Sequence, residues 1–138
     1  MNYRLEVIVV PVSDVDRAKA FYQDKVGFNV DVDIPIGETA RVVQLTPPGS
    51  DCSIALLRGM PQAEPGSYQG IHLIVRDIEA ARADLAGRGL EVSEPFHFGP
   101  EGQTPGVHPE RAEYATYLSF ADPDGNSWLV QEVPSRPA

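Results

Sequence analysis

The chain has 138 residues and a single cysteine, Cys52, so one domain's worth of polypeptide has to fold without an internal disulfide. Against 11 Lys and Arg stand 20 Asp and Glu, and the resulting net charge of −9 repels phosphate backbones and anionic lipid while attracting a cationic ligand. Nucleic-acid and membrane partners are therefore not expected. No apolar run approaches the roughly 20 residues of a bilayer span, and no basic-then-apolar leader pattern opens the chain, so the expected address is the cytoplasm.

In chain order, Leu5–Val12 reads as a first strand, nearly all apolar and so expected to be buried on both faces. A helix is expected over Asp14–Val26, opened by Asp14, whose carboxylate suits the free amides of a first turn. Val15, Ala18 and Tyr22 form its buried stripe, and Gly27 supplies the left-handed residue that ends it. A short strand at Asn29–Asp33, a turn at Pro35–Glu38, and strands at Ala40–Leu45 and Cys52–Leu57 complete a first module. Arg58–Gln69, with two prolines and two glycines, reads as a linker.

The pattern then recurs. Ile71–Val75 reads as a strand, Asp77–Arg88 as a helix with the stripe Ile78, Ala81 and Leu85, Gly89 as its terminator, and Glu91–Ser93 as a short strand. Strands at Tyr114–Phe120 and Ser127–Val133 flank the turn Asp122-Pro-Asp-Gly-Asn126, which matches the turn Leu45-Thr-Pro-Pro-Gly49 of the first module. The second copy carries extra residues within Glu94–Glu113. Of these, Phe96–Arg111 lacks strand or helix periodicity and reads as a long connection, either a lid or wall over a pocket or a surface excursion. The expected organisation is one domain of two βαβββ modules, about 1–58 and 70–134, joined by a linker at 59–69.

Two such modules, the segment PVSDVDRAKAFYQDKVGF and the closing DPDGNSWLVQEV make the sequence resemble the vicinal oxygen chelate superfamily, which includes glyoxalase, fosfomycin-resistance, bleomycin-resistance and extradiol dioxygenase proteins. The resemblance implies an α+β fold whose tandem βαβββ modules form a cupped mixed sheet around a cavity, and it implies a homodimer. It also implies one divalent metal ion held by the first and last strands of each module. The matching positions here are Val7, Ser53, Gly70 and Leu129, none of them a usual ligand. No cofactor is therefore expected. The alternative is a divalent metal at a displaced site of His72, Gln131 and Glu132, serving a lyase, isomerase or dioxygenase of the glyoxalase type. For that site Glu132, like Glu6, falls on the opposite face of its strand unless a bulge shifts the register, and an outward-facing charge is the simpler expectation.

The leading expectation is a protein that binds a small organic molecule without the family metal. Its candidate ligand-binding residues are His72, Phe96, His97, Phe98, Tyr117, Trp128 and Gln131. His72 is also readable as a hydrogen-bonded core or cavity histidine, and Tyr114, Tyr117 and Trp128 as core aromatics. No catalytic residue is identified. There is no GxSxG elbow, phosphate loop, GxGxxG turn or CxxC pair, and Cys52 reads as an inert, buried residue.

Overall fold

The computed structural model describes residues 1–137. Twelve elements or turns follow the expected order but fall into two compact units, Met1–Tyr68 with Asp122–Asn126, and Gln69–Ala121 with the residues from Ser127 onward. The fold is α+β, one sheet and one helix per module.

In the first unit β1 (Val7–Val9), β4 (Ser53–Arg58), β3 (Ala40–Thr46) and β2 (Asn29–Ile36) lie side by side in that order, β1 parallel to β4 and the rest antiparallel. Only three residues of the expected first strand pair, and Val7 and Leu5 are exposed, so burial on both faces does not hold: β1 is an edge strand with one neighbour. β2 in turn runs through Pro35 and Ile36. Proline is tolerated there because β2 is the other edge and its missing N–H leaves no ladder bond unmade.

Helix α1 (Val15–Ala20) starts where Asp14 accepts from the Arg17 amide. It then widens into one π turn, Phe21–Lys25, closed by Val26 N–H donating to the Phe21 carbonyl. Val15, Ala18 and Tyr22 are buried as their spacing requires, and Gly27 (φ +84°) ends the segment. Asp122–Asn126 packs in this unit through buried polar contacts. Tyr22 Oη donates to Asp122 Oδ2 at 2.7 Å, Asn126 Nδ2 to the Pro11 carbonyl at 2.8 Å, and the Tyr68 amide to Asn126 Oδ1 at 3.1 Å. The expected linker is not loose: Gln62 bridges the Val12 amide and the Leu57 carbonyl, and the Gly66 amide donates to the Pro11 carbonyl.

The second unit's sheet runs β5 (Ile71–Val75), β9 (Ser127–Glu132), β8 (Thr116–Ala121), β6 (Phe96–Gly99) and β7 (Gly102–Pro105). Helix α2 (Ile78–Gly87), capped by Asp77 through the Glu79 and Ala80 amides, packs on β8 and β9 with Ile78 and Leu85 buried. Two expectations fail here. Glu91–Ser93 is no strand, because Ser93 N–H to the Ser119 carbonyl starts a ladder that Pro95, lacking an N–H, does not extend. Phe96–Arg111 is not one long connection either: its first ten residues are the hairpin β6–β7, turned at Pro100-Glu101.

Candidate functional site

Strand alternation divides the second unit's sheet into two faces. Trp128, Val130, Glu132, Leu118 and Phe120 point to the buried face, where Trp128 stacks on Phe120 at 5.8 Å. The register that pairs Tyr117 with Gln131 and Phe96, Ser119 with Leu129, and Ile74 with Gln131 puts those side chains on the other face. That face is open: Ile74 and Phe98 are exposed, the others half-buried, as expected where one face of a sheet is not packed by a helix.

Aromatic rings dominate it. Phe96 lies over Tyr117 with centroids 5.7 Å apart and planes 17° from parallel, while Phe98 meets both rings edge-on at 6.1 and 5.7 Å. His72 approaches Tyr117 from β5 at 6.4 Å, its Nδ1 held 2.7 Å from the Gly70 carbonyl. Beside Phe96 opens a groove of about 330 Å³ walled by Pro95 and Pro105, with Ser93, Glu94, Gln103 and Ser119 supplying polar atoms. Its volume falls within the range usual for small-molecule sites.

Five of the seven candidate ligand-binding residues, His72, Phe96, Phe98, Tyr117 and Gln131, therefore share one face. Trp128 and His97 do not join them. Trp128 is 1% exposed within the core, and His97 points away from its neighbours Phe96 and Phe98, as strand alternation demands, to contact His108 and the Gly106 carbonyl. His72 is exposed rather than a core histidine, and Cys52 is half-buried rather than buried. The groove residues Ser93, Pro95, Gln103, Pro105 and Ser119 escaped the sequence reading. The signal for them was the Gly99-Pro-Glu-Gly102 turn, whose residue types suit a hairpin.

Glu132 is the clearest departure. Expected to face outward, it is fully buried, accepting from the Ile78 amide at 2.8 Å and from Arg111 Nη2 at 2.7 Å. Arg111, whose guanidinium also reaches Glu79, is held more firmly protonated by its hydrogen bonds to Glu132 and then Glu79. β9 runs without a bulge, so Glu132 stays on the face opposite His72 and Gln131, and the three do not converge. Among the described residues no group of three or more His, Cys, Asp or Glu is placed to hold a metal ion.

The family model described as Glyoxalase/Bleomycin resistance protein/Dioxygenase superfamily matches residues 4–130. The chain belongs to that superfamily. Among solved structures, it is similar to TnmS3, an antibiotic binding protein from Streptomyces sp. CB03234, with 32% identity, TM-score 0.73, and coverage of 96% of this chain and 97% of that one. It is likewise similar to a member of the superfamily from Sphaerobacter thermophilus, with 32% identity, TM-score 0.69 and coverage of 95% and 98%. The uncharacterised protein YetH of Bacillus subtilis is 26% identical over 136 residues, 96% of this chain and all of that protein.

At the positions that the resemblance assigns to a metal, Val7, Gly70 and Leu129 offer no side-chain donor atom, and Ser53, 4% exposed, has its hydroxyl 2.7 Å from that of Thr46, which in turn donates to Asp31. No helix of the described residues is long and apolar enough to cross a membrane.

Proposed function

We propose that this protein binds a small, flat aromatic molecule of the antibiotic type on the open face of its second sheet, without the superfamily's metal. The observation that carries the reading is the near-parallel pair Phe96 and Tyr117, edged by Phe98 and His72 and bordered by the groove at Pro95 and Pro105. Half-exposed rings in such an array leave π-faces and edges for another ring. The same reading is supported by the likeness to TnmS3, an antibiotic binding protein 32% identical to this chain. Among the described residues no group of three or more His, Cys, Asp or Glu is placed to hold a metal ion, and the reading proposed is sequestration rather than turnover. It includes the homodimer and cytoplasmic address that the resemblance and composition suggest, the first checked by light scattering.

The test is titration calorimetry with a panel of flat aromatic antibiotics against the wild-type protein, Phe96→Ala and Phe98→Ala. Losing one stacking partner costs about 1–3 kcal/mol in comparable ring contacts, so Phe96→Ala weakens binding about tenfold or more. Affinities unchanged in both variants, or no panel member binding below about 1 mM, rule the site out.

A further inference from the structure

The polar atoms on the aromatic face specify more than ring shape. The Tyr114 main-chain carbonyl is an acceptor only, so the Gln131 atom 2.9 Å from it is the amide nitrogen. That same nitrogen lies 3.0 Å from Tyr117 Oη. Its two hydrogens are thereby committed, one to the Tyr114 carbonyl and one to the tyrosine oxygen. Two consequences follow from counting. Tyr117 Oη already accepts from Gln131, and an amide nitrogen accepts nothing, so the phenolic hydrogen points elsewhere and no acceptor among the described residues takes it. Gln131 Oε1 is left as an acceptor without a donor in the same way.

His72 adds a second acceptor. Its Nδ1 lies 2.7 Å from the Gly70 carbonyl and must carry a hydrogen, so in the neutral ring the lone pair is on Nε2. The face thus presents one donor, the Tyr117 hydroxyl, beside the acceptor Gln131 Oε1 and, in the neutral ring, His72 Nε2. The −9 net charge favours a cation in solution, but the carboxylate of the adjoining groove, Glu94, is already paired with Arg82.

Building on the aromatic-face reading, we propose that the ligand is an uncharged flat aromatic compound with a carbonyl oxygen next to an N–H or O–H on one edge, as in an aromatic lactam. Its carbonyl accepts from Tyr117 while its N–H donates to Gln131 Oε1 or His72 Nε2, and its rings lie against Phe96 and Phe98. Tyr117 and Gln131 then set specificity, because a ligand lacking the pair leaves both polar groups without partners.

Phenanthridin-6(5H)-one, a planar tricyclic lactam, and its N-methyl derivative test this, since the second replaces the donor hydrogen with a methyl group. Titration of wild-type protein should show the lactam binding about tenfold more tightly than the N-methyl compound, the worth of one hydrogen bond to a site that otherwise stays unpaired. In Gln131→Met and in the double variant His72→Phe/Gln131→Met this difference should shrink toward unity, which a merely structural loss of affinity would not produce. Two probes of equal affinity for wild-type protein, or a difference that persists undiminished in the double variant, overturn the ligand class and leave the aromatic face standing. Failure of both probes to bind at any accessible concentration overturns the aromatic face and this proposal together.

Discussion

Replacing Tyr22 with Phe removes one oxygen from the interior of the first unit and should be readily measurable. Tyr22 is fully buried, its ring stacks on Phe28 at 5.8 Å, and its hydroxyl donates to Asp122 Oδ2 at 2.7 Å. Asp122 also accepts from the Asp124 and Asn126 amides on Oδ1 and from Asn126 Nδ2 on Oδ2, so the carboxylate organises the whole Asp-Pro-Asp-Gly-Asn turn. The variant keeps the ring and its stacking, and the loss is confined to a hydrogen bond to a carboxylate, worth about 1.5–3 kcal/mol. At the average unfolding entropy per residue, a chain of this length loses about 3–4 °C of Tm per kcal/mol, hence about 5–10 °C in all. Urea unfolding at pH 7 gives the free energy and calorimetry the Tm. A cycle with Asp122→Asn, which sets an amide against donors the carboxylate now accepts, isolates the pair; its coupling should account for most of the Tyr22→Phe loss. A change below about 0.5 kcal/mol, or additive effects of the two substitutions, would refute the argument that this contact docks the turn.

Two other predictions concern the same unit. Arg41 makes paired hydrogen bonds to Asp33 and a third to Asp16, and these contacts, with Lys19 also on Asp33, hold both carboxyls below the ordinary range, Asp33 far below it. A lowered carboxyl contributes stability that is full above its unfolded value near 4 and is lost as pH falls through the folded one. Arg41→Ala should therefore be less stable than wild type by a constant margin at pH 5–7 that narrows below about pH 4. A margin in urea midpoint that widens on acidification contradicts the assignment. Gly66, at φ +79°, sits where a Cβ would strike the Asp124 carbonyl oxygen, whereas Gly37, at φ +64°, has open space around it. Gly37→Ala should cost about 1–2 kcal/mol from backbone strain alone and Gly66→Ala clearly more, as read from urea midpoints; equal costs would show that the close approach is not rigid.

Much of this architecture was legible because local chemistry repeats. Asp14 and Asp77 cap their helices, Val15, Ala18, Tyr22, Ile78 and Leu85 are buried, and Gly27 and Gly89 take positive φ, all from short-range spacing. Phe96 and Phe98 also came from sequence as aromatic residues of the expected long connection, Tyr117 as an aromatic candidate for a pocket wall, and His72 and Gln131 as strand residues sharing the faces of Gly70 and Leu129. What misled was register. The hairpin β6–β7 is too short for alternation to stand out against its Gly and Pro content, so His97 was grouped with the phenylalanines whose face it does not share.

The sequence by itself determined that each half opens with a strand and an Asp-capped helix and closes on paired strands, and it determined the helix caps and core stripes. Each is settled by residue identity or by spacing within a few residues. Only the tertiary structure decided that Glu132 is buried beneath Arg111, that Trp128 stacks inside the core on Phe120, and that the Gln131 amide is turned by the Tyr114 carbonyl so as to free the Tyr117 hydrogen. Those outcomes depend on which strands become neighbours and in what register. A shift of one residue exchanges the two faces of a strand, and nothing within the strand's own residues fixes the partner it will meet.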